Sequence, residues 1–264
     1  MPKTSSHVKN CAYNYISGEL QAGTVEVWRV DLGADQSVQT NPSVLNREET
    51  DRANRFHFER DRNRFITARA ALRTILGAYL NLPAEAVRFS YNAYGKPSIR
   101  QCDANHKLTF NLSHSSDIAV LAVSEATTLG IDIERKRRTV KFRALATRFF
   151  SEAESRFLAQ VPDIRLEHTF FQIWTCKEAY LKGHGRGLSL SLMSFDVSVA
   201  ENHDPTLIAS RHDPDDPEIW QFREIPCHPD YICTLAQRGP ISPVTLRDFK
   251  GPDGSSLKAR SERH

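Results

Sequence analysis

The sequence has few of the features that mark disulfide-rich, zinc-finger or membrane proteins. Its five cysteines are odd in number, scattered, and form no CxxC pair, so they indicate neither a disulfide framework nor a zinc finger. No apolar run reaches the length of a signal-peptide core or a membrane span. A charge excess is also missing, because 35 Lys and Arg against 32 Asp and Glu leave a net charge of only +3. These absences predict a cytoplasmic protein that binds neither membrane nor nucleic acid.

One loose group of metal-ligand residue types remains near the C-terminal end. Cys227, His228 and Cys233 could combine with His203 or His212. Their spacing matches no metal motif, so we interpret them as loop residues.

What is present is typical of a folded protein, with 40% hydrophobic and 25% charged residues in 264. Asn46 predicts a helix start, and apolar residues at three- and four-residue steps extend the helical pattern to Tyr79. Strand patterns cover 25–30 and three short segments between 108 and 134, and a second long helix is predicted over 165–182. Strands with a helix therefore occur twice, which predicts an α+β fold of two similar-sized halves.

Composition also predicts the domain boundaries. We expect a flexible segment over 1–20, an N-terminal half over 21–125 and a C-terminal half over 126–238. From Gly239 onward Pro, Gly, Ser and charged residues dominate, which predicts a disordered tail over 239–264.

The first candidate for chemistry is the segment Gly130-Ile131-Asp132-Ile133-Glu134. Asp132 and Glu134 are two residues apart on a predicted strand, so both side chains point to one face. Such a carboxylate pair suits half of a Mg²⁺ site, whose other ligands come from water and phosphate. The alternative is a solvent-facing side of the strand.

A second candidate, Trp174-x-x-Lys177-Glu178-x-x-x-Lys182, lies near the end of the second long helix. Trp174, Glu178 and Lys182 share a helix face, and Lys177 lies one position round. Glu178 and Lys182 could be an ordinary surface pair. The indole on the same face and the glycine-rich exit instead favour a site for a magnesium-bound pyrophosphate.

The third candidate is Asn111-Leu112-Ser113-His114-Ser115, where a predicted strand enters a serine-rich turn. A nucleophilic Ser–His pair, a buried structural histidine and a phosphate site made by Ser113 and His114 all remain open.

In their order along the chain, GKP, NLSHS, GIDIE and WxxKEAYLK resemble the motifs of Sfp-type 4′-phosphopantetheinyl transferases. The segment RFFSEAE at 148–154 adds to the resemblance, which spans roughly residues 45 to 236. It implies a pseudo-dimeric, monomeric α+β fold, in which each half packs a small antiparallel sheet on a long helix.

The resemblance implies transfer of 4′-phosphopantetheine from coenzyme A to a serine of an apo acyl or peptidyl carrier protein, releasing 3′,5′-ADP. The enzyme would then be a holo-[acyl-carrier-protein] synthase of fatty acid, polyketide or nonribosomal peptide biosynthesis. The alternative is a noncatalytic module that binds coenzyme A or a nucleotide.

It also implies roles for individual residues. Asp132, Glu134 and Glu178 would hold Mg²⁺, and Asp132, Glu178 and Lys182 would be catalytic, with Glu178 as the general base. The residues implied to contact coenzyme A are Lys96, Pro97, Ser113, His114, Lys177 and Lys182. We add Arg52, Arg55 and Arg69 for the 3′-phosphate, because residues 47–73 contain eight arginines against five acids.

A second basic run, from Arg135 to Arg148, contains seven Lys or Arg and no acid. It is either a solvated connector or a surface that attracts an acidic carrier protein.

Overall fold

The computed structural model describes residues 20, 23–33, 40–100, 108–125, 127–137, 141–201 and 203–251. In these ranges the strands are β1 Val25–Asp31, β2 Phe89–Tyr91, β3 Pro97–Ile99, β4 Leu108–Ser115, β5 Ile118–Glu125, β6 Leu129–Arg135, β7 Phe195–Ala200, β8 His203–Ser210, β9 Trp220–Glu224, β10 Tyr231–Arg238 and β11 Val244–Phe249. The α-helices are α1 Arg47–Ala53, α2 Glu59–Leu80, α3 Phe142–Phe149, α4 Glu152–Gln160, α5 Asp163–His184 and α6 Asp216–Ile219. The α+β class predicted from the sequence is therefore confirmed.

Two sheets lie face to face between the two long helices, α2 and α5. The first sheet has the strand order β11-β1-β5-β4 and the second the order β6-β10-β9. Alternation along β5 explains the layering, because one set of its side chains packs with α2 and the other set joins the core between the sheets. The first set is Ala119, Leu121 and Val123, and the second is Ile118, Val120 and Ala122.

The outer face of the second sheet is covered by α5. Phe170, Ile173 and Tyr180 of the helix share a buried cluster with Trp220 and Phe222 of β9. The hairpins β2–β3 and β7–β8 complete the fold. None of the helices in the described ranges is long and apolar enough to cross a membrane.

Local sequence explains where the helices begin and end. Asn46 and Ser151 accept hydrogen bonds from the backbone amides of Glu49 and Glu154, and both glutamates return the contact, so α1 and α4 start with capping boxes. At the other end of α5, Gly185 has a φ of 71°, the left-handed conformation that ends a helix most readily at glycine.

The expected single helical stretch after Asn46 is in fact two helices, α1 and α2, separated at residues 54–58. The two helices are separate because α1 packs back against α2. Glu49 of α1 is buried and forms ion pairs with Arg69 and Arg73 of α2, and a continuous helix could not bring these side chains together.

The prediction of a disordered tail over 239–264 is wrong for its first part. β11 pairs with β1 in parallel, in register from Val25 opposite Val244 to Val30 opposite Phe249. Val244 and Leu246 pack towards the core between the sheets, and Phe249 is buried on the opposite face. The polar composition concealed this two-residue alternation. The first sheet is therefore mixed and not purely antiparallel.

The other expected boundaries are not decided by the fold. Residues 1–19 and 252–264 lie outside the described residues, although Leu20, placed in the flexible segment, is buried. The division at 125/126 stays a prediction.

Candidate active site

A glycine places the second sheet directly against α5. A Cβ atom on Gly130 of β6 would lie 2.1 Å from the carbonyl oxygen of Ala179 and 2.3 Å from the amide nitrogen of Gly183. Only a residue without a side chain permits this approach. Asp132 and Glu134 follow on the same face of β6, so they lie against the stretch of α5 that carries Glu178 and Lys182.

A second contact joins β6 to β4 of the first sheet, and we call it the β4–β6 seam. Asn111, Ser113 and Ser115 of β4 accept hydrogen bonds from the backbone amides of Ile131 (2.9 Å), Ile133 (3.4 Å) and Arg135 (3.1 Å), respectively. The seam is therefore made by side chains at a two-residue spacing, and it links the two sheets.

The same serines hold the two carboxylates of β6. Ser113 Oγ donates to Asp132 Oδ1 at 2.9 Å, and Ser115 Oγ donates to Glu134 Oε2 at 2.7 Å. Both acids are thus oriented by hydrogen bonds before any ligand arrives.

Lys182 closes the site from α5. Its Nζ lies 2.5 Å from Asp132 Oδ1 and 2.8 Å from Ser113 Oγ. The Lys182 side chain is 29% exposed, whereas that of Asp132 is 5% exposed, so the ammonium group borders solvent and the carboxylate does not. Asp132 Oδ2 is buried without a hydrogen-bond partner among the described residues.

Burial and repulsion among the acids raise the pKa values of the other two carboxylates, Glu134 and Glu178. Burial raises the pKa of Glu178 above its usual value, and the negative charges of Asp132 and Glu134 raise this pKa further. Burial and the charge of Asp132 likewise raise the pKa of Glu134. Within the described ranges Glu178 makes no hydrogen bond or ion pair. We call Asp132, Glu134, Glu178 and Lys182 the acidic cluster, which has three carboxylates against one ammonium group.

The acidic cluster suits a divalent cation. All its ligand atoms are carboxylate oxygens, the donors that Mg²⁺ prefers, and no described residue donates a hydrogen bond to the buried Asp132 Oδ2. The three acids do not converge tightly, because the one trio of ligand atoms found within 4.8 Å in the described part of the chain belongs to other residues. This wider spacing leaves room for water or phosphate oxygens beside the ion.

His114 lies on the side of β4 opposite to the two serines and is exposed. Partial desolvation lowers the pKa of its imidazole, as do the positive charges of Lys182 and Arg52. Arg52 is exposed and lies over the Phe65 ring, 5.2 Å from its centroid. Arg52 and Lys182 are thus near enough to His114 for their charges to affect it. Arg55 is exposed nearby on the chain, with Nε 3.4 Å from the carbonyl oxygen of Asp51.

Lys177 is not at the site, which corrects the prediction that it contacts coenzyme A. Its side chain is fully buried, with Nζ 2.8 Å from Glu154 Oε2, and it donates to the carbonyl oxygens of Leu192 and Phe195. A step of one residue turns a helix by about 100°, so Lys177 faces the core while Glu178 faces the cluster.

Arg69 and Ser113 also have other partners than predicted. Arg69 forms an ion pair with the buried Glu49 and lies over the Phe89 ring, so it is not free to bind a 3′-phosphate. Ser113 is buried and bonded to Asp132 and Lys182, which makes it a positioning residue for them. The buried acid that holds Arg69 comes from a different helix and could not be inferred from the arginine pattern.

Lys96 connects the β2–β3 hairpin to the end of α5. Its Nζ donates to the carbonyl oxygens of Gly183 (2.7 Å) and Leu129 (3.3 Å), and Asn92 Nδ2 donates to the carbonyl oxygen of Gly185 (2.7 Å). Burial lowers the pKa of Lys96 to about 8. The hairpin therefore caps the helix that carries Glu178 and Lys182. Pro97 begins β3 beside this contact.

Two residues of the site, Asn111 and Ser115, were missed as site residues although they belong to the NLSHS segment. Their two-residue spacing with Ser113 puts all three side chains on one face of a strand, and this spacing could have identified them. The interpretation as loop residues holds for Cys227, between β9 and β10, and is wrong for Cys233. Both thiols are buried, and Cys233 lies within β10.

Comparisons with known proteins identify the class to which this fold and site belong. Residues 128–236 match the model of the 4′-phosphopantetheinyl transferase superfamily, and residues 33–126 match that of the 4′-phosphopantetheinyl transferase N-terminal region.

Individual relatives agree with the two family models. The chain is 42% identical to 4′-phosphopantetheinyl transferase HetI of Nostoc sp. over 64% of this chain and 72% of the relative. It is 36% identical to psf-1 of Bacillus pumilus (69% and 76%) and 33% identical to Sfp of Bacillus subtilis (61% and 69%). The chain belongs to the 4′-phosphopantetheinyl transferase family, and it is an enzyme of the Sfp type.

Proposed function

We propose that this transferase moves the 4′-phosphopantetheine group of coenzyme A to a serine hydroxyl of an apo acyl or peptidyl carrier protein. The observation that supports it best is the acidic cluster, in which Lys182 and Glu178 of α5 face the serine-held Asp132 of β6. This transfer needs a cation on the pyrophosphate of coenzyme A and a group that accepts the serine proton.

Asp132, Glu134 and Glu178 are the residues that would hold Mg²⁺. The orphaned Asp132 Oδ2 and the raised pKa values of the two glutamates support this assignment, because a cation there would offset the repulsion among the acids. An ion held at these oxygens would supply positive charge to the pyrophosphate.

The chain's own side chains account for the remaining needs of the reaction. In the transfer, the carrier serine Oγ forms a bond to the phosphorus next to pantetheine, and the bond from this phosphorus to the bridging oxygen breaks. Glu178, which has no hydrogen-bond partner among the described residues, is available to accept the serine proton. Lys182, at the solvent border, would stabilise the departing phosphate, and His114 with Arg52 would donate hydrogen bonds to further phosphate oxygens.

The same proposal treats the two halves as a pseudo-dimer within one monomeric chain. Each half has a sheet packed on a helix of 22 residues, α2 or α5. The β4–β6 seam, where the halves meet, is the place where we expect coenzyme A to bind.

A direct assay tests the activity. The protein is incubated with apo carrier, coenzyme A and Mg²⁺, and the carrier is weighed by mass spectrometry; we expect a gain of one phosphopantetheine. Glu178→Gln should lower kcat/KM by about 100-fold or more through loss of the base and of a cation ligand, while Glu59→Gln, on α2, serves as the matched control. Coenzyme A binding by the wild type without any carrier labelling would favour the noncatalytic module instead.

The basic run supports a carrier protein with an acidic surface. Exposed arginines follow Glu134 in the chain, first in the segment that leaves β6 (Arg135 and Arg137) and then on α3 (Arg143 and Arg148). Arg138 lies outside the described residues. Arg137→Glu should raise the KM for an acidic carrier about two- to fivefold at low salt, and the effect should shrink as salt screens the charges. Arg156→Glu on α4 makes the same charge change outside the run. A KM that rises equally in both variants would exclude steering by this surface.

A further inference from the structure

Three metal-ligand side chains converge at the end of α5, outside the acidic cluster. His184 is the last residue of α5, His212 follows β8, and Asp216 begins α6. One ligand atom from each lies within 4.8 Å of the other two, and no other such group occurs among the residues that the structure describes. Asp216 is buried, and each histidine side chain is 17% exposed.

Two of the three ligand separations match those of a tetrahedral ion site, and the third is within 4.8 Å. His184 Nε2 is 3.1 Å and His212 Nε2 is 3.4 Å from the same oxygen, Asp216 Oδ2. Two ligands that each lie about 2.0–2.1 Å from a tetrahedral Zn²⁺ are about 3.3 Å apart. The two histidines and Asp216 could therefore supply three ligands, and the fourth position would go to water or to the adjacent Tyr180 hydroxyl.

Surrounding groups orient each of the three ligands. Ser210 Oγ lies 3.0 Å from His212 Nδ1, the ring nitrogen that faces away from Asp216. Trp220 Nε1 donates to Asp216 Oδ1 at 3.0 Å, and Tyr180 donates to Oδ2 at 2.5 Å. The Trp220 ring also stacks on His184 at a centroid distance of 4.9 Å. Ser210 and Trp220 thus bond to outer atoms of the ligands, which is usual around protein metal sites. The Tyr180 hydroxyl, which is also 3.3 Å from His212 Nε2, instead lies on the ligand side and would have to give up its bond to Oδ2 or become the fourth ligand.

We infer that His184, His212 and Asp216 form a site for a divalent transition-metal ion of the zinc class. Two imidazoles and one carboxylate favour such an ion over Mg²⁺, which prefers oxygen ligands alone. The ion would join the end of α5 to the β8–α6 turn, two residues beyond Lys182. This role is structural and does not depend on the proposed transfer reaction.

Co²⁺ is the probe for this site, because tetrahedral Co²⁺ absorbs visible light much more strongly than octahedral Co²⁺. The untagged full-length protein is stripped with chelator and titrated with Co²⁺ and then with Zn²⁺ in competition. We expect one equivalent of Co²⁺ to give the tetrahedral absorption and Zn²⁺ to remove it. Glu178→Gln in the acidic cluster should give the same result, which separates this site from a Mg²⁺ site.

His212→Asn tests the assignment, because asparagine can still contact Ser210 but has no atom in the place of Nε2. It should weaken the tetrahedral Co²⁺ signal and Zn²⁺ binding by about 100-fold or more. His203→Asn on the exposed edge of β8 is the matched control and should bind as the wild type does. His184→Gln provides a second variant if His212→Asn unfolds, as judged by circular dichroism.

Three results would overturn the inference. One is the absence of tetrahedral Co²⁺ absorption in the folded wild type, which would mean that the three residues form a hydrogen-bonded network only. The second is unchanged binding in both His212→Asn and His184→Gln. The third is loss of the signal in Glu178→Gln alone.

Discussion

Lys177 and Glu178 are neighbours in the sequence and lie in opposite surroundings. Lys177 is buried with Glu154 of α4, whereas Glu178 faces Asp132 across the acidic cluster. The helical period of α5 was readable from the sequence, and it put Trp174, Glu178 and Lys182 on one face. The partner of Lys177 was not readable, because Glu154 reaches it only through the packing of α4 on α5. A charged residue within a motif therefore need not belong to the site.

Lys96 makes a residue-scale prediction about pH. Burial lowers its pKa from 10.5 in the unfolded chain to about 8 in the folded protein. Between these values the unfolded chain binds more protons, so a rise in pH favours the folded state. Relative to Lys96→Met, the wild-type free energy of unfolding should therefore increase by up to about 3 kcal/mol between pH 8 and 10.5, as measured by urea denaturation.

Lys141→Met removes an exposed lysine and provides the control for this comparison. Its difference from the wild type should be the same at both pH values. If the Lys96→Met difference is equally flat, the folded protein does not perturb this ammonium group.

At the scale of elements, the contact between β6 and α5 decides whether the acidic cluster exists. Gly130→Ala would put a methyl group 2.1 Å from the Ala179 carbonyl oxygen and force the helix away from the strand. We expect a loss of about 1–3 kcal/mol in the free energy of unfolding. Because Asp132 would shift relative to Glu178 and Lys182, kcat/KM should fall by about 100-fold.

Gly33→Ala is the control for Gly130→Ala. Its Cβ would meet only the flexible side chain of Asp31, at 3.1 Å, so carrier labelling and unfolding should stay near wild-type values. Full activity of Gly130→Ala would mean that the geometry of the acidic cluster does not depend on this contact.

The packing of one element against another also limits what the sequence can predict. The two-residue spacing of Asp132 and Glu134 and the four-residue spacing of Glu178 and Lys182 were sufficient to predict which side chains share a face. What spacing could not supply was the partner element, since the serines that hold the acids come from β4 and the carbonyls that hold Lys96 come from α5 and β6. Local periodicity specifies a face, and packing between distant segments decides what that face meets.

At the scale of the whole molecule, the first and last strands of the described residues, β1 and β11, pair with each other. β11 adds to β1 across more than 200 residues of sequence, with Arg247 Nε 2.7 Å from Glu26 Oε2 and Arg29 paired with Asp248. The polar composition of this segment favoured disorder, and composition alone cannot report a pairing partner so distant in sequence. The N-terminal sheet is therefore completed by C-terminal residues.

Phe249→Ala tests this return strand. The side chain is buried at 5% exposure in the core under α2, so its truncation should lower the free energy of unfolding by about 3 kcal/mol in a denaturant titration. Lys250→Ala, at the next and exposed position, should have no measurable effect. Equal stability of the two variants would contradict the packing of β11.

The β4–β6 seam also constrains how the gene can change. Its register depends on Asn111, Ser113 and Ser115 meeting alternate amides of β6. Insertion or deletion of one codon between Asn111 and Ser115 would turn part of this row to the opposite face of the strand and separate the acids from their serines. The length of this segment should therefore vary less among descendants of the gene than the identity of Leu112, which lies between the row's members.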